Sequence, residues 1–208
     1  MDYEKYLKEK NKQKKIKDFK KDYVLFIDMG YPIPHDNNFS LQKPVTNDEG
    51  YKKGILNVFN CVSKIFKDKK IIVALHPKST RKNFYGYESY KDITNTLIKD
   101  SSFVLSHDSL SLQFAALWKK PIFILFNNDM KNTITKFKQI QWYIDELNLP
   151  SINMDTIEEN KMRSLMHKFL QSQNSNFNYN NFIEKYVKDS KGSDKSISST
   201  IIDAIVLN

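Results

Sequence analysis

Cysteine is nearly absent from this chain: Cys61 is the only one in 208 residues. That excludes a disulfide scaffold and points to a reducing compartment. Cys61 falls in an apolar helical pattern with Val58, Phe59, Val62, Ile65 and Phe66, so it reads as a buried structural thiol. Glycine is also scarce, at five residues, and no Gly-x-Gly-x-x-Gly or Walker-type loop occurs. There is no Cys pair and no His-Glu-x-x-His either, so dinucleotide, P-loop and zinc chemistry lack support, and neither a metal nor an organic cofactor is expected. Any phosphate held by this chain must therefore be held by hydroxyls, helix ends and cations. No apolar run approaches the roughly 18 residues that would suggest a membrane span, and the N-terminus has no apolar signal core. The expected location is the cytoplasm, with at most peripheral contact at the inner face of a membrane.

What is present is a basic, globular composition: 40% hydrophobic, 27% charged, net charge +9. The first 22 residues hold nine lysines against five acidic residues, four of those nine surplus charges, so the rest is only mildly basic. The Lys-, Asn- and Ile-heavy usage resembles proteins of AT-rich genomes and is weak support for nucleic-acid binding. Tyr85, Tyr87, Tyr90, Trp118 and Trp142 do not interleave with basic residues as single-strand platforms do, so no nucleic-acid partner is expected.

Residues 1–22 are polar with a loose apolar repeat, a basic helical arm or linker. Tyr23-Val-Leu-Phe-Ile27 is an unbroken apolar run, the pattern of a parallel strand buried on both faces. It ends in Asp28 and Gly30 and empties into a Pro-rich loop to Pro44 that carries His35-Asp36. Thr46, with Glu49 three residues on, predicts a capped amphipathic helix to about Lys67. Ile71–Leu75 reads as a strand, 88–99 as a helix, 102–106 as a strand, 109–119 as a helix and 121–126 as a strand. Beyond these, 131–147 reads as a helix and Ser151–Met154 as a short edge strand. Asp155 is expected to cap a helix to about Leu170, with His167 on its surface or in packing. A surface loop over 171–181 and two amphipathic stretches, Tyr179–Lys188 and Ser196–Leu207, close the chain. The alternation predicts an α/β class: a single Rossmann-like domain over 23–170, with a parallel sheet, helices on both faces and right-handed crossovers, and a helical C-terminal extension packed on it over 171–208.

Ligands of open α/β sheets bind outside the carboxyl ends of the strands. That rule selects three loops: Asp28 to His35, His76 to Arg81, and Ser106 to Ser111. Pro77 fixes the backbone after His76, and Lys78, Ser79 and Arg81 are phosphate-directed donors. In the third loop, His107, Ser109 and Ser111 sit at a helix start, where unpaired N–H groups and the helix dipole favour an anion. Gly30 completes the candidate binding set from the first loop. Serines opening a helix are mostly caps, and a histidine before proline is often structural; it is the coincidence of the three loops that points to an anionic ligand. Asp48-Glu49-Gly50 lies in a predicted first turn, where acids complement the dipole.

His76-Pro77 after a buried strand, then Ser106-His-Asp-Ser-Leu-Ser111 leading through Phe114-Ala-Ala-Leu to Lys120-Pro121-Ile, resembles the nucleotide-sugar half of GT-B glycosyltransferases. The likeness is strongest to bacterial surface-polysaccharide enzymes of the sialyltransferase-like and Kdo-transferase-like type, and covers about residues 23–155. It implies one half of a GT-B fold, a CMP-activated sugar as donor, an acceptor glycan, and nucleotide phosphate held by His76 with Ser109 or Ser111. CDP-glycerol glycerophosphotransferases carry a similar Ser-Ser turn and Lys-Pro strand and are a second relative. Two departures stand out. Gln113 occupies the region where retaining GT-B enzymes place a ribose-binding Glu, and the acceptor half with its Asp general base has no counterpart in these 208 residues. Asp48-Glu49-Gly50 matches the acid-acid-Gly motif of that half by letters but lies within the donor half. The expected function is the donor-binding half of an inverting glycosyltransferase, acting with an N-terminal-half partner, or else a non-catalytic scaffold module of such a pair.

Overall fold

A computed structural model describes residues 2–11, 22–31, 45–172 and 178–187. His35-Asp36 and the stretch Ser196–Leu207 lie outside these residues. In chain order the elements are α1 (Asp2–Asn11), β1 (Tyr23–Ile27), α2 (Asp48–Ile65), β2 (Lys70–Ala74), β3 (Glu88–Tyr90), α3 (Thr94–Asp100) and β4 (Phe103–Ser106). There follow α4 (Leu112–Leu117), β5 (Ile122–Phe126), α5 (Asn128–Asn132), α6 (Ile134–Leu147), β6 (Ser151–Asn153), α7 (Glu159–Gln171) and α8 (Tyr179–Phe182), which runs into a π-helical turn, Ile183–Val187.

The six strands form one parallel sheet in the order β3-β2-β1-β4-β5-β6. All five residues of β1 are buried, because a central parallel strand is covered from both sides. Strand side chains alternate between faces. Phe26 turns toward α2, its ring 5.3 Å from Phe59, while Tyr23 on the opposite face donates its hydroxyl to Leu97 O of α3 at 2.6 Å. Register carries the same division across the sheet. Phe26 aligns with Leu105 and Leu105 with Phe123, and Phe123 meets Phe169 of α7 at 5.1 Å, so α2 and α7 cover one face. Helices thus lie on both faces of a single α/β domain.

The expected basic arm is in part a packed element. Tyr6 of α1 meets the Trp118 ring at 4.6 Å, and Lys99 Nζ donates to Glu9 O at 3.3 Å across the α1–α3 contact. At the other end, Tyr179 donates its hydroxyl to Lys120 O at 2.7 Å and Phe182 is fully buried, so the extension packs on the domain as far as Val187.

Four sequence expectations need correction. Residues 88–99 are not one helix: Glu88–Tyr90 pairs with β2 along the sheet edge, Asp92 turns the chain at φ 66°, and the helix starts at Thr94. The open edge of β2 needs a hydrogen-bonding partner, and that tertiary demand overrides local propensity. The helix expected over 109–119 shrinks to the six residues of α4, ended by Lys119 at φ 51° ahead of Pro121. Asp155 does not cap α7; its Oδ2 accepts from Asn128 N at 2.7 Å instead.

The cap of α2 is Asn47, not Thr46. Asn47 Oδ1 accepts from Gly50 N at 2.7 Å, while buried Thr46 donates to Asp129 Oδ2 at 3.1 Å and accepts from Asn127 Nδ2 at 2.6 Å. Asp48 and Glu49 do lie in the first turn. Asn47→Ala is expected to lower stability by about 0.5–2 kcal/mol, read by urea unfolding, because an orphan N–H loses its acceptor.

Candidate functional site

The strand order reverses between β1 and β4, which have opposite crossovers on either side, and the three loops selected from sequence leave the sheet there and at neighbouring β2. In the first loop, Asp28 is 2% exposed. Its Oδ1 accepts from Gly30 N at 2.8 Å, closing an Asx turn that places Gly30 at φ 78°, where glycine carries no steric penalty. Asp28 Oδ2 has no hydrogen-bond partner among the described residues. Burial raises the pKa of this carboxyl, opposed by the Gly30 N–H and the Arg81 charge.

The second loop folds on itself. Ser79 N donates to His76 O at 2.8 Å, Lys78 N donates to His76 Nδ1 at 3.2 Å, and Arg81 N donates to Ser79 Oγ at 3.2 Å. Because the Lys78 N–H donates to it, Nδ1 is the acceptor, and in the neutral, half-buried ring the proton then sits on Nε2. Pro77 and Lys78 are exposed and Ser79 is buried. Arg81 reaches across to the first loop, Nη2 donating to Tyr31 O at 3.0 Å, with its guanidinium 5.5 Å from both the Phe84 and Tyr85 rings. Its Nη1, like the Tyr85 hydroxyl, is buried without a partner among the described residues.

The third loop divides its residues between interior and surface. His107 is fully buried with both ring nitrogens occupied: Nδ1 lies 2.7 Å from Leu125 O and Nε2 lies 3.0 Å from the Tyr51 hydroxyl. A carbonyl can only accept, so Nδ1 carries the proton and Tyr51 donates to Nε2. Burial drives the pKa down to about 4, so the ring is neutral at pH 7. His107 therefore acts as a strut joining β4, β5 and α2, its ring also 5.1 Å from that of Tyr31 in the first loop, and with both nitrogens taken it does not offer a ligand the donor that the sequence suggested. Ser109 is buried, its Oγ accepting from Ser111 N at 3.2 Å; Ser111 precedes α4 and makes no side-chain cap bond. Six residues of helix supply a much weaker dipole than the longer helix expected from sequence. Ser106 Oγ is buried and unpartnered among the described residues, and Leu110 between the two serines is 70% exposed.

Tyr31 binds the three loops together. Its carbonyl takes Arg81 of the second loop, and its hydroxyl donates to Asp108 Oδ1 of the third at 3.3 Å. Asp108 Oδ2 meets Lys136 Nζ of α6 at 2.5 Å, and that ammonium lies 5.4 Å from the Tyr31 ring centre. The structure thus gathers Gly30, His76, Lys78, Ser79, Ser109 and Ser111 at one end of the sheet and sends His107 inward. Tyr31, Tyr51, Asp108 and Lys136 were not singled out from the sequence. Lys136 had no signal at all, lying 28 residues from its partner on another element. Among the described residues, no group of three or more His, Cys, Asp or Glu is arranged to hold a metal ion, and no helix is long and apolar enough to cross a membrane.

No protein-family model matches the chain, and no curated protein matches it in sequence. Solved structures with a similar arrangement include the Methanocaldococcus jannaschii UDP-GlcNAc 2-epimerase (18% identity, TM-score 0.45, 90% of this chain against 46% of that one). They also include the wall teichoic acid polymerase TagF (16%, 0.47, 98% against 47%) and the spinosyn forosaminyltransferase SpnP (13%, 0.47, 88% against 44%). The chain spans less than half the length of each of these structures.

Proposed function

We propose that this domain is the donor-binding half of an inverting glycosyltransferase that uses a nucleotide sugar, CMP-activated by preference, in making a bacterial surface polysaccharide or glycolipid. The observation that carries this reading is the reversal of strand order between β1 and β4 with three polar loops at the carboxyl ends there. In this reading His76 Nε2, Lys78 and the Ser109 and Ser111 hydroxyls hold the nucleotide phosphate. The tight turns at Gly30 and Ser79 shape the walls, and His107 keeps the frame. An acceptor hydroxyl attacks the anomeric carbon, the bond from that carbon to the phosphate oxygen breaks, and the electron pair leaves with the nucleotide. The hydroxyl proton passes to a base that another domain or partner supplies. This half contributes stabilisation of the leaving phosphate.

Isothermal calorimetry of the full chain tests the reading. CMP or CDP should bind in the micromolar to millimolar range, and His76→Ala or Ser109→Ala should weaken binding by roughly 10- to 100-fold, the worth of a hydrogen bond to a charged group. Absence of binding to any nucleotide, together with a stable complex with a partner glycosyltransferase, would sink the reading in favour of a scaffold module. A titration with CDP-glycerol beside CMP-sugars separates the two donor classes.

A further inference from the structure

The turn that presents Ser109 and Ser111 has a carboxylate at its centre. Asp108 precedes Ser109 directly, its side chain is 4% exposed, and both its oxygens point at partners within the protein: Oδ1 takes the Tyr31 hydroxyl and Oδ2 takes Lys136 Nζ. A phosphate docked on the Ser109 and Ser111 hydroxyls would lie several ångströms from that charge. Uncompensated, one unit charge at such a range near a protein surface corresponds to on the order of 10- to 100-fold in affinity for an anion. The turn contains no cation of its own, since Ser106 to Ser111 holds only His107 besides Asp108, and His107 is neutral and buried.

Compensation comes from a different element. Lys136 sits in the first turn of α6, where the positive end of the helix dipole disfavours a cation. Its position is therefore not explained by the helix it belongs to. Its side chain is 14% exposed, it stacks over the Tyr31 ring at 5.4 Å, and besides Asp108 it donates to Gln139 Oε1 at 3.3 Å.

We propose that Lys136 is a positioning residue that neutralises Asp108 and so makes the Ser106–Ser111 turn able to accept an anionic phosphate, affinity being set by the net charge of the Asp108–Lys136 pair. This rests on the nucleotide-phosphate reading of the site and adds to it a residue no sequence motif contains. The two bonds of Asp108 pin the turn to the loop after β1 and to α6, and Lys136 removes the electrostatic penalty of that pinning.

The test is calorimetric titration of the full chain with CMP and CDP across a charge series, with circular dichroism and thermal melts to verify folding. Lys136→Met sets the pair to one negative charge, Asp108→Asn to one positive charge, and the double variant to zero. Lys136→Met should lose about tenfold or more in affinity, Asp108→Asn should bind at least as tightly as the parent, and the double variant should recover most of the loss. These differences should shrink as salt rises. If Lys136→Met does not fold, the double variant should still match the parent, both pairs being neutral, and Asp108→Asn should bind more tightly than either; a double variant far weaker than the parent makes Lys136 a direct phosphate ligand and overturns the inference. The inference is overturned if affinity ignores the series, or if the double variant stays as weak as Lys136→Met, which would make Lys136 a direct phosphate ligand. A parent chain that binds none of the nucleotides overturns the site reading and this inference together, whereas a parent that binds with a flat charge series overturns only the second.

Discussion

Lowering the pH from 7 to 4 is expected to remove about 3 kcal/mol of stability through His107 alone. In the folded protein burial takes the imidazole from its ordinary 6.5 to about 4, while in the unfolded chain it titrates at the ordinary value. Between those two values the unfolded state binds a proton that the native state refuses, so stability falls as pH falls through that window and is fully present above it. A difference of about 2.5 pKa units converts to roughly 3 kcal/mol. Nothing at the surface screens it, since the ring is fully buried against Leu125 O and the Tyr51 hydroxyl. Asp28 acts in the opposite sense: its pKa is raised, so the native state takes up a proton more readily than the unfolded chain and regains stability in acid. The two are separated by urea unfolding at a series of pH values on the parent and on His107→Gln, whose amide does not titrate. The parent should lose stability more steeply than the variant between pH 6.5 and 4; parallel curves would show that the ring is not held neutral.

Replacing Phe26 with alanine should cost about 3–5 kcal/mol, as the loss of a fully buried aromatic ring from a packed core does. Phe26 is fully buried in β1, with ring centroids 5.3 Å from Phe59, 5.2 Å from Phe84 and 5.8 Å from His107. It therefore touches the central strand's helix cover, the segment that follows the second loop, and the strut of the third. The cavity left by its ring would be lined by rigid aromatics that cannot collapse into it, and interiors are packed too densely for neighbours to compensate. Thermal melts should show a drop of about 10 °C or more. Phe26→Leu, which keeps much of the volume, should lose far less. If Phe26→Ala is as stable as Phe26→Leu, the aromatic cluster is looser than its ring distances imply. In a folded Phe26→Ala protein, the nucleotide affinity proposed for the site should also fall, because the ring packs against His107 of the third loop.

Much of the frame was legible before any coordinates. Tyr23–Ile27, Ile71–Ala74 and Ile122–Phe126 are unbroken, β-branched- and aromatic-rich apolar runs of strand length, the pattern of a parallel strand covered on both faces. The three loops were legible for the same reason, since polar groups that follow such a strand must emerge at its carboxyl end. Where the pattern failed, the cause was a contact made elsewhere. Glu88-Ser89-Tyr90 reads as helix until β2 offers it an open edge, and Thr46 reads as a cap until Asn127 and Asp129 claim its hydroxyl.

The sequence by itself determined five of the six strands, most of the helices between them and the three loops that carry hydroxyls, cations and His76, because each follows from periodicity and local chemistry over a few residues. Only the tertiary structure decided what those loops hold. His107 turned inward because Tyr51 lies 56 residues before it and Leu125 18 residues after it, and together they satisfy both ring nitrogens in the core. Asp108 acquired its cation from α6, and Tyr31 joined all three loops. Hydrogen bonds and charge pairs depend on distances between elements, and those distances exist only once the sheet has assembled.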